Sequence, residues 1–395
     1  MINTKEEFKA KVNDIKSQSW YKNPIGFGIA RIDRGQLNSD KILQTTYPIV
    51  NWNENFGSAA IFMDAFKNSG IEIDTTKSEL VLDISDSFIT NCIESFNPYM
   101  NEAKGDDHKN VQLISSLSTL PIDSGISADN FKVVFIFEDA NPQTVETAYL
   151  KLYALSSGKA ELRKINLNGA FGLLHNVAWV GNTPIELDWL RVNELNLKIS
   201  GKYPNIDMVD KFPRFLSHII PADNTRILDT SKVRFGAQLA AGTTVMPGAS
   251  YINFNAGTLG PVMVEGRISS SAIVGSGSDV GGGASILGVL SGTDGNPISI
   301  GENTLLGANS TTGIPLGDGC IVDGGLSIFA GTKISISDEE ILKISEVNPN
   351  ITLDNVVRAD KLQGLNGIHF RQDSQTGIYI AMRSTREVKL NAELH

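Results

Sequence analysis

The chain of 395 residues has few of the residue types that support disulfide, metal or nucleic-acid chemistry. Its two cysteines, Cys92 and Cys320, form no CxxC pair and are too few for a disulfide framework, so we predict two reduced thiols. Lys and Arg number 34 against 44 Asp and Glu, and this acidic balance argues against a nucleic-acid partner. No uncharged apolar run reaches the length of a membrane span, and the N-terminus lacks the apolar core of a signal peptide. We therefore expect a cytoplasmic protein with no membrane partner.

The first part of the chain, up to about Pro221, is typical of a mixed α/β domain. Thr4 and Glu7 form a capping-box pattern ahead of the first helix. A β-branched and aromatic run predicts a strand, and Asn141-Pro142 predicts the cap and first turn of a helix that Gly158 ends. The predicted helices cover Met1–Ser19, Phe88–Phe96 and the residues from Asn141 to Gly158, and the predicted strand is Lys132–Glu138.

Aromatic residues become rare after Arg226, whereas residues 227–336 hold 22 of the 37 glycines. Aliphatic residues recur there every six positions, which excludes disorder as the reason for the glycine content. A period of six fits neither a helix nor an alternating strand, but it fits a hexapeptide solenoid in which three hexads close one triangular coil. The inward positions are Ile227, Val233, Leu239, Val245 and Tyr251; Ile268, Val274, Val280 and Ile286; Ile300 and Leu306; and Leu316, Val322, Ile328 and Ile334.

The six-residue phase breaks three times, between Tyr251 and Ile268, between Ile286 and Ile300, and between Leu306 and Leu316. Each break predicts extra residues that leave the coil as a loop. Loops on a rigid scaffold are frequent sites of binding and catalysis, although tolerated insertions would give the same pattern.

The C-terminal residues predict a small cap on the solenoid. Ser337 and Glu340 form the cap of a short helix. His369–Met382 is typical of two strands joined through Thr376-Gly377. We expect this segment to close the open end of the solenoid. The predicted domains are therefore an α/β domain (1–221), a parallel β-helix (222–336) and a β-containing cap (337–395).

Histidine is absent from residues 235–332, which excludes a histidine-ligated zinc centre and a histidine general base built from those residues. Arg267 is the only Lys or Arg in the same stretch, and Glu265 lies two positions before it, on the same face of a strand. The pair is either a surface ion pair or a reaction site. In a reaction site Arg267 would bind a carboxylate, and Glu265 would accept a proton from an amine or form a transient acyl adduct.

Longer motifs surround this pair and extend over most of the chain. They are FNAGTLGPVMVEGRIS at 254–269, GSDVGGGASILGVLSG at 277–292, LLGANS at 305–310, FRQDS at 370–374, KINLNGAFGL at 164–173 and DKFPRFL at 210–216. With these motifs the sequence resembles the long-form tetrahydrodipicolinate N-succinyltransferases, a family of hexapeptide-repeat acyltransferases. The resemblance is densest from about residue 160 onward.

The resemblance implies a left-handed β-helix, a homotrimer with active sites between adjacent subunits, and succinyl transfer from succinyl-CoA to the amine of a small-molecule acceptor. It implies that Glu265 is catalytic. Succinyl-CoA would be a co-substrate, with no permanently bound cofactor. The implied donor contacts are Arg267, Gly282, Ser285, Ala308, Asp323, Gly324, Gly331, Arg371, Gln372, Asp373 and Ser374, with either Arg358 or Lys361 as a further basic contact.

Some members of that family carry acidic metal ligands near the start of the solenoid. Residues 232–250 hold no Asp or Glu, so we predict no bound metal. Two alternatives to succinyl transfer stay open. Another CoA-dependent N-acyltransferase, using acetyl-CoA for example, would not need Arg267 for an acyl carboxylate. A non-catalytic scaffold would need neither the phase breaks nor the Glu265 and Arg267 pair.

Overall fold

A computed structural model describes residues 2–120, 125–289, 295–385, 388 and 390. The chain divides into two compact units, one of Met1–Ala154 and Ile165–Pro213, the other of Leu155–Lys164 and Arg214–His395. Within the described ranges, no helix combines the length and the apolar character needed to cross a bilayer.

The helices begin where their capping residues place them. Thr4 and Glu7 form the predicted capping box, and the Ser337 hydroxyl accepts a hydrogen bond from the Glu340 N–H. The cap predicted at Asn141 is wrong, because the Asn141 side chain accepts a hydrogen bond from Asn166, and Thr144 caps the helix instead. The helices are α1 Lys5–Ser17, α2 Phe56–Asn68, α3 Asp86–Phe96, α4 Lys109–Ser118, α5 Val145–Ser156, α6 Ala170–Leu173, α7 Leu187–Ile199 and α8 Asp338–Val347.

Unit one is built on an antiparallel sheet with strand order β2-β1-β5-β4, to which β3 adds beside β1. The strand predicted at Lys132–Glu138 is confirmed as β5. Aromatic side chains fill the core against this sheet, with Phe66 and Phe88 stacked at 4.4 Å between ring centroids. The strands are β1 Gly26–Arg34, β2 Ile42–Thr46, β3 Asn51–Trp52, β4 Glu79–Asp83 and β5 Phe131–Ile136, with β6 Val177–Val180, β7 Thr183–Glu186 and β8 Met208–Asp210 in a second small sheet.

Unit two contains the parallel β-helix that the six-residue period predicts. Short strands stack in parallel on three faces, and the second residue of most strands is buried in a continuous aliphatic core. The strands are β9 Arg226–Ile227, β10 Thr244–Val245, β11 Tyr251–Ile252, β12 Gly257–Thr258, β13 Met263–Val264, β14 Arg267–Ile268, β15 Ile273–Val274, β16 Asp279–Val280, β17 Ser285–Ile286, β18 Ser299–Ile300, β19 Leu305–Leu306, β20 Thr311–Thr312, β21 Ile321–Val322, β22 Ser327–Ile328 and β23 Lys333–Ser335.

We number the faces by their strands. Face one stacks β9, β10, β13, β16, β19 and β21; face two stacks β11, β14, β17, β20 and β22; face three stacks β12, β15 and β18. The C-terminal strands are β24 Val356–Arg358, β25 Ile368–Gln372 and β26 Tyr379–Arg383. The predicted hairpin is confirmed as β25 and β26, and β25 pairs in parallel with β21, so it extends face one.

The strand register corrects the predicted phase. Ile252, not Tyr251, points into the core, because the step from Val245 takes seven residues rather than six. Two of the three predicted loops are also wrong. Those breaks are shortened corners, with four residues from Val264 to Ile268 and from Thr312 to Leu316. Only the 14-residue step from Ile286 to Ile300 carries an insertion.

Candidate active site

The Glu265 corner, between faces one and two, is the tight turn formed by Glu265 and Gly266 ahead of Arg267, the first residue of β14. Glu265 and Arg267 point away from the core, while Gly266 between them is buried. A Cβ on Gly266 would lie 2.3 Å from the carbonyl oxygen of Ala284 in the next coil, so only glycine fits there. This close approach fixes the two functional side chains on either side of one short corner.

Arg267 lies beside Ser285, its register partner on face two. The Arg267 Nε donates a 3.3 Å hydrogen bond to the Ser285 hydroxyl, and Arg267 as a whole is exposed. Across the described ranges, Arg267 makes no ion pair with Glu265 or any other carboxylate. The geometry therefore does not support the surface ion pair, and it leaves the guanidinium available for a ligand carboxylate.

Successive coils place the predicted contact residues above the Glu265 corner. Gly282, Ala308 and Gly324 each follow the inward residue of face one by two positions, so they form one column. A Cβ on Gly282 would lie only 3.6 Å from Oε2 of Glu265. The small residues thus form a shallow groove that begins at the Glu265 carboxylate. We call this column, with Glu265 at its start, the corner groove.

Backbone donors run along the corner groove. The carbonyl oxygens of Gly282 and Ala308 accept hydrogen bonds from the N–H groups of Asn309 and Gly325. By contrast, in the described part of the chain the N–H groups of Gly282, Ala308 and Gly324 donate no hydrogen bond. Unpaired N–H groups are strong donors, so each is ready to bind an oxygen of a ligand lying in the groove.

The far end of the corner groove carries charged side chains. Asp323 Oδ1 lies 2.7 Å from Nε2 of His369, and Oδ2 lies 3.3 Å from Nε of Arg371. Sequence reasoning missed His369, because it considered only residues 235–332, whereas the hairpin brings this histidine onto face one from further along the chain. The alternation of His369 and Arg371 about the buried Phe370 was the signal available in the sequence.

The other residues of the FRQDS motif lie at the start of the turn that joins β25 to β26. Gln372 donates to the Gly377 carbonyl, and Ser374 is exposed. Asp373 accepts hydrogen bonds from the side chain and N–H of Thr376 and from the Gln375 N–H, which hold the pKa of its carboxyl below the usual value. Asp373 therefore fixes the turn.

Two predicted contacts lie at a different corner. Gly331 lies after β22 of face two and before β23, which pairs with β24 and β26, and it is exposed. Arg358 lies close to it, because the neighbouring Ala359 N–H donates to the Thr332 carbonyl, and its guanidinium pairs with Asp360 at 2.9 Å. Lys361, the alternative basic contact, is also exposed. The predicted donor contacts are thus split between two corners of the prism.

Three further expectations concern ligands and motif boundaries. In the ranges that the structure describes, no cluster of His, Cys, Asp or Glu could hold a metal ion. The position of Asn253 and Asn255 near the first phase break makes both candidates for acceptor contact. Asn255 accepts from the Arg163 N–H, however, and Asn253 accepts from Arg234, so both amides stabilise the solenoid. Residues 290–292 of the motif at 277–292 lie outside the described residues.

Comparison with known proteins identifies the relatives of this chain. Family models match residues 6–172 (tetrahydrodipicolinate N-succinyltransferase N-terminal), 174–214 (tetrahydrodipicolinate N-succinyltransferase middle) and 297–330 (hexapeptide repeat of succinyl-transferase). The 2,3,4,5-tetrahydropyridine-2,6-dicarboxylate N-succinyltransferase of Sulfurovum sp. (strain NBC37-1) is 66% identical over 99% of this chain and 98% of its own length. The enzyme of the same name from Campylobacter jejuni is 57% identical over the full length of both chains.

A solved structure agrees with these relatives. The crystal structure of a Campylobacter jejuni protein, proposed to be a 2,3,4,5-tetrahydropyridine-2-carboxylate N-succinyltransferase, superposes with a TM-score of 0.92. It is 56% identical in sequence and covers 98% of this chain and 100% of its own. Since both the sequence and the fold match over nearly their whole length, this chain belongs to the tetrahydrodipicolinate N-succinyltransferase family.

Proposed function

We propose that the protein transfers the succinyl group of succinyl-CoA to the amine of ring-opened tetrahydrodipicolinate, 2-amino-6-oxopimelate. The products are N-succinyl-2-amino-6-oxopimelate and CoA, in the succinylase branch of diaminopimelate and lysine biosynthesis. The observation that carries the proposal is the full-length similarity to enzymes named for this transfer. The corner groove supports it, because a carboxylate and a row of backbone donors lie along it, and Arg267 lies beside its start with its terminal amino groups available.

The chemistry requires a nucleophilic amine and a stabilised thioester. The amine nitrogen attacks the thioester carbonyl carbon, the new C–N bond forms, and the C–S bond breaks with its electron pair on the sulfur of CoA. The nitrogen must lose a proton, and the Glu265 carboxylate is placed at the start of the groove to accept it. Arg267 binds the distal carboxylate of the succinyl group through its free amino groups, which gives specificity for a dicarboxylic acyl group.

The length of the corner groove suits a CoA ester. From β13, which precedes Glu265, to β25, which carries Arg371, the face-one order is β13-β16-β19-β21-β25. Four strand spacings amount to about 19 Å. An extended pantetheine arm spans such a distance, so the thioester lies at Glu265 while the nucleotide phosphates reach Arg371. Oxygen atoms of the arm then accept hydrogen bonds from the N–H groups of Gly282, Ala308 and Gly324.

Glu265 fits two chemical roles, and kinetics separates them. As a general base it acts within a ternary complex, so no CoA is released until the acceptor binds. As an acyl acceptor it forms a mixed anhydride first, which gives ping-pong kinetics and one equivalent of CoA from each site without acceptor. A rapid-mixing measurement of thiol release with succinyl-CoA alone distinguishes a stoichiometric burst from none.

A homotrimer with sites between subunits accounts for the split of the donor contacts. Gly331 and Arg358 lie at a different corner from the corner groove, so one ligand reaches both sets most simply when a second copy supplies one of them. The family fold supports a left-handed coil for the solenoid. Light scattering on the purified protein measures the assembly, and a monomeric protein with full activity would exclude shared sites.

The direct test of the reaction is release of free thiol from succinyl-CoA with and without tetrahydrodipicolinate, with acetyl-CoA measured in parallel. We expect acceptor-dependent release from succinyl-CoA only. Equal release from acetyl-CoA would favour a broader N-acyltransferase and remove the role of Arg267. No release from either donor by a folded protein would favour a non-catalytic scaffold.

A further inference from the structure

Strand β25 brings together three side chains at the far end of the corner groove. His369 and Arg371 flank the buried Phe370 on the outer surface of face one, and both reach Asp323 on the preceding coil. The Asp323 N–H also donates to the Phe370 carbonyl, so the backbone and the side chain of Asp323 are both held by β25. Asp323 and Arg371 are proposed donor contacts, whereas His369 has no role in the mechanism above.

The direction of the hydrogen bond between His369 and Asp323 follows from the carboxylate. An ionised carboxylate only accepts, so Nε2 of His369 carries the hydrogen that it donates to Oδ1 of Asp323. Oδ2 forms an ion pair with Arg371, 3.3 Å from Nε. Each oxygen therefore has its own partner, and the hydrogen bond and the ion pair together fix the plane of the carboxylate. Without His369, Oδ1 would lose its partner and the carboxylate would rotate more freely.

The contact through Nε has a consequence for Arg371. The ion pair engages the Nε side of the guanidinium, so the terminal amino groups are left for a ligand. The Arg371 side chain is 49% exposed, so these amino groups face solvent at the place proposed for the nucleotide phosphates. An unrestrained Asp323 carboxylate beside them would compete with a phosphate for the same donors. A carboxylate fixed on Nε instead orients the guanidinium and leaves its outer edge open.

We propose that His369 is a positioning residue for donor recognition: it fixes Asp323, and Asp323 orients Arg371 toward the phosphates of CoA. This role rests on the proposed function, because it assumes that a CoA ester lies in the corner groove. His369 itself touches neither the thioester nor the acceptor, since about 19 Å separates the strand levels of Arg371 and Glu265. Loss of His369 therefore weakens donor binding and leaves the chemical step unchanged.

The test compares two variants and two donors. His369→Leu removes the hydrogen bond, whereas His369→Gln keeps a donor near the position of Nε2. Succinyl-CoA carries the nucleotide phosphates, and succinyl-pantetheine carries the same thioester without them. Because His369 and Asp323 are both partly exposed, we expect His369→Leu to raise the KM for succinyl-CoA about fivefold, with kcat within about twofold. The KM for succinyl-pantetheine should not change, and His369→Gln should stay close to the wild type.

The Arg371→Ala background gives a second measurement, because a residue that acts through Arg371 has no further effect once Arg371 is removed. Equal increases of KM for both donors, or an undiminished effect in that background, would overturn the proposal in favour of a local structural role. An unchanged KM in His369→Leu would overturn it outright.

Calorimetric binding of CoA itself separates this inference from the proposed reaction. A wild type that binds CoA but transfers no succinyl group refutes the reaction, and the variants then still report fivefold weaker binding if His369 positions Arg371.

Discussion

The two units of this chain build their cores from different side chains. Unit one packs stacked aromatic rings and buries ionisable groups: Glu146, Lys151 and Glu186 are all inaccessible or nearly so. Among the described residues of unit two, the core is mainly a column of aliphatic side chains, with Phe215 and Phe370 as its aromatic members, and the buried polar residues are Ser, Thr and Asn alone. Unit one is therefore stabilised by specific side-chain contacts, and unit two by a repeated backbone ladder.

This difference explains where function can lie. In the solenoid each coil needs only its inward residues and its corner geometry, so the outward positions of a corner are free to carry chemistry. Glu265 and the donors of the corner groove occupy such positions. In unit one the buried charges are already used by the fold. Lys151, for example, donates to Asp139 and to the carbonyls of Ala140 and Asn166.

The largest expected effect on stability comes from a substitution that disrupts backbone packing between coils at the Glu265 corner. In Gly266→Ala the new Cβ meets backbone atoms of Ala284 and Gly281, which cannot move without shifting a whole coil. We expect the free energy of unfolding of unit two to fall by about 3 kcal/mol. Native-state hydrogen exchange measures this unit separately from unit one.

Gly331→Ala is the matched control, because a Cβ there meets no atom within 4 Å. Its stability should stay within about 0.5 kcal/mol of the wild type. Equal destabilisation by both variants would show that the corner glycines are generally intolerant and that close approach at Gly266 is not the cause.

A buried carboxylate makes unit one sensitive to acid. Burial of Glu186 would by itself raise its pKa, but hydrogen bonds from the Asn38 side chain and from the Leu37 and Asn38 N–H groups, with the charge of Lys41, lower it to about 2. A folded-state pKa below the ordinary 4.5 stabilises the fold above pH 4.5, and this contribution is lost as the pH falls toward 2.

We expect unit one to lose about 2 kcal/mol over that range because of Glu186. Glu186→Gln should be less stable at neutral pH and should lack this acid dependence. Hydrogen exchange of the β1–β2 and β7 amides at several pH values measures it. An unchanged acid profile in the variant would show that Glu186 does not titrate in this range.

The smallest expected effect concerns the corner residues with positive φ. Gly283, Asn309 and Gly325 occupy the same corner in successive coils with φ of 74°, 58° and 72°. Asn309→Ala should cost about 1 kcal/mol, because alanine tolerates this left-handed conformation poorly. Asn309→Gly should be neutral or slightly stabilising. Thermal unfolding of the two variants measures the difference, and equal melting temperatures would contradict the conformational explanation.

Local patterns in the sequence predicted much of this fold. The capping box at Thr4 and Glu7 predicted α1. Inward positions such as Val274, Val280 and Ile286 are buried as predicted, because a step of six residues carries the chain to the same position on the next face. The loop predictions were wrong where the number of residues between successive inward positions differs from six by one or two. A corner shortened by two, as at Glu265, changes the phase in the same way as an insertion does, and the sequence alone cannot separate them.

The candidate site was predictable in part. The isolated Glu265 and Arg267 pair and the small residues of the groove stood out within the solenoid sequence. The contacts of Asp323 with His369 and Arg371 did not, because they join residues 46 and 48 positions apart through the C-terminal hairpin. The sequence likewise did not show that Gly331 and Arg358 lie at a different corner from the other contacts, because this depends on which residues form each corner.

The central claim is that the Glu265 corner performs acyl transfer and that the fold does not need its carboxylate. Acceptor-dependent thiol release from succinyl-CoA by Glu265→Gln tests this most directly, with Glu302→Gln, an exposed carboxylate at another corner, as the matched control. We predict a loss in kcat of about 10³ for Glu265→Gln, with the unfolding temperature of the wild type, and full activity for Glu302→Gln. Glu265→Gln turning over at the wild-type rate would contradict the account.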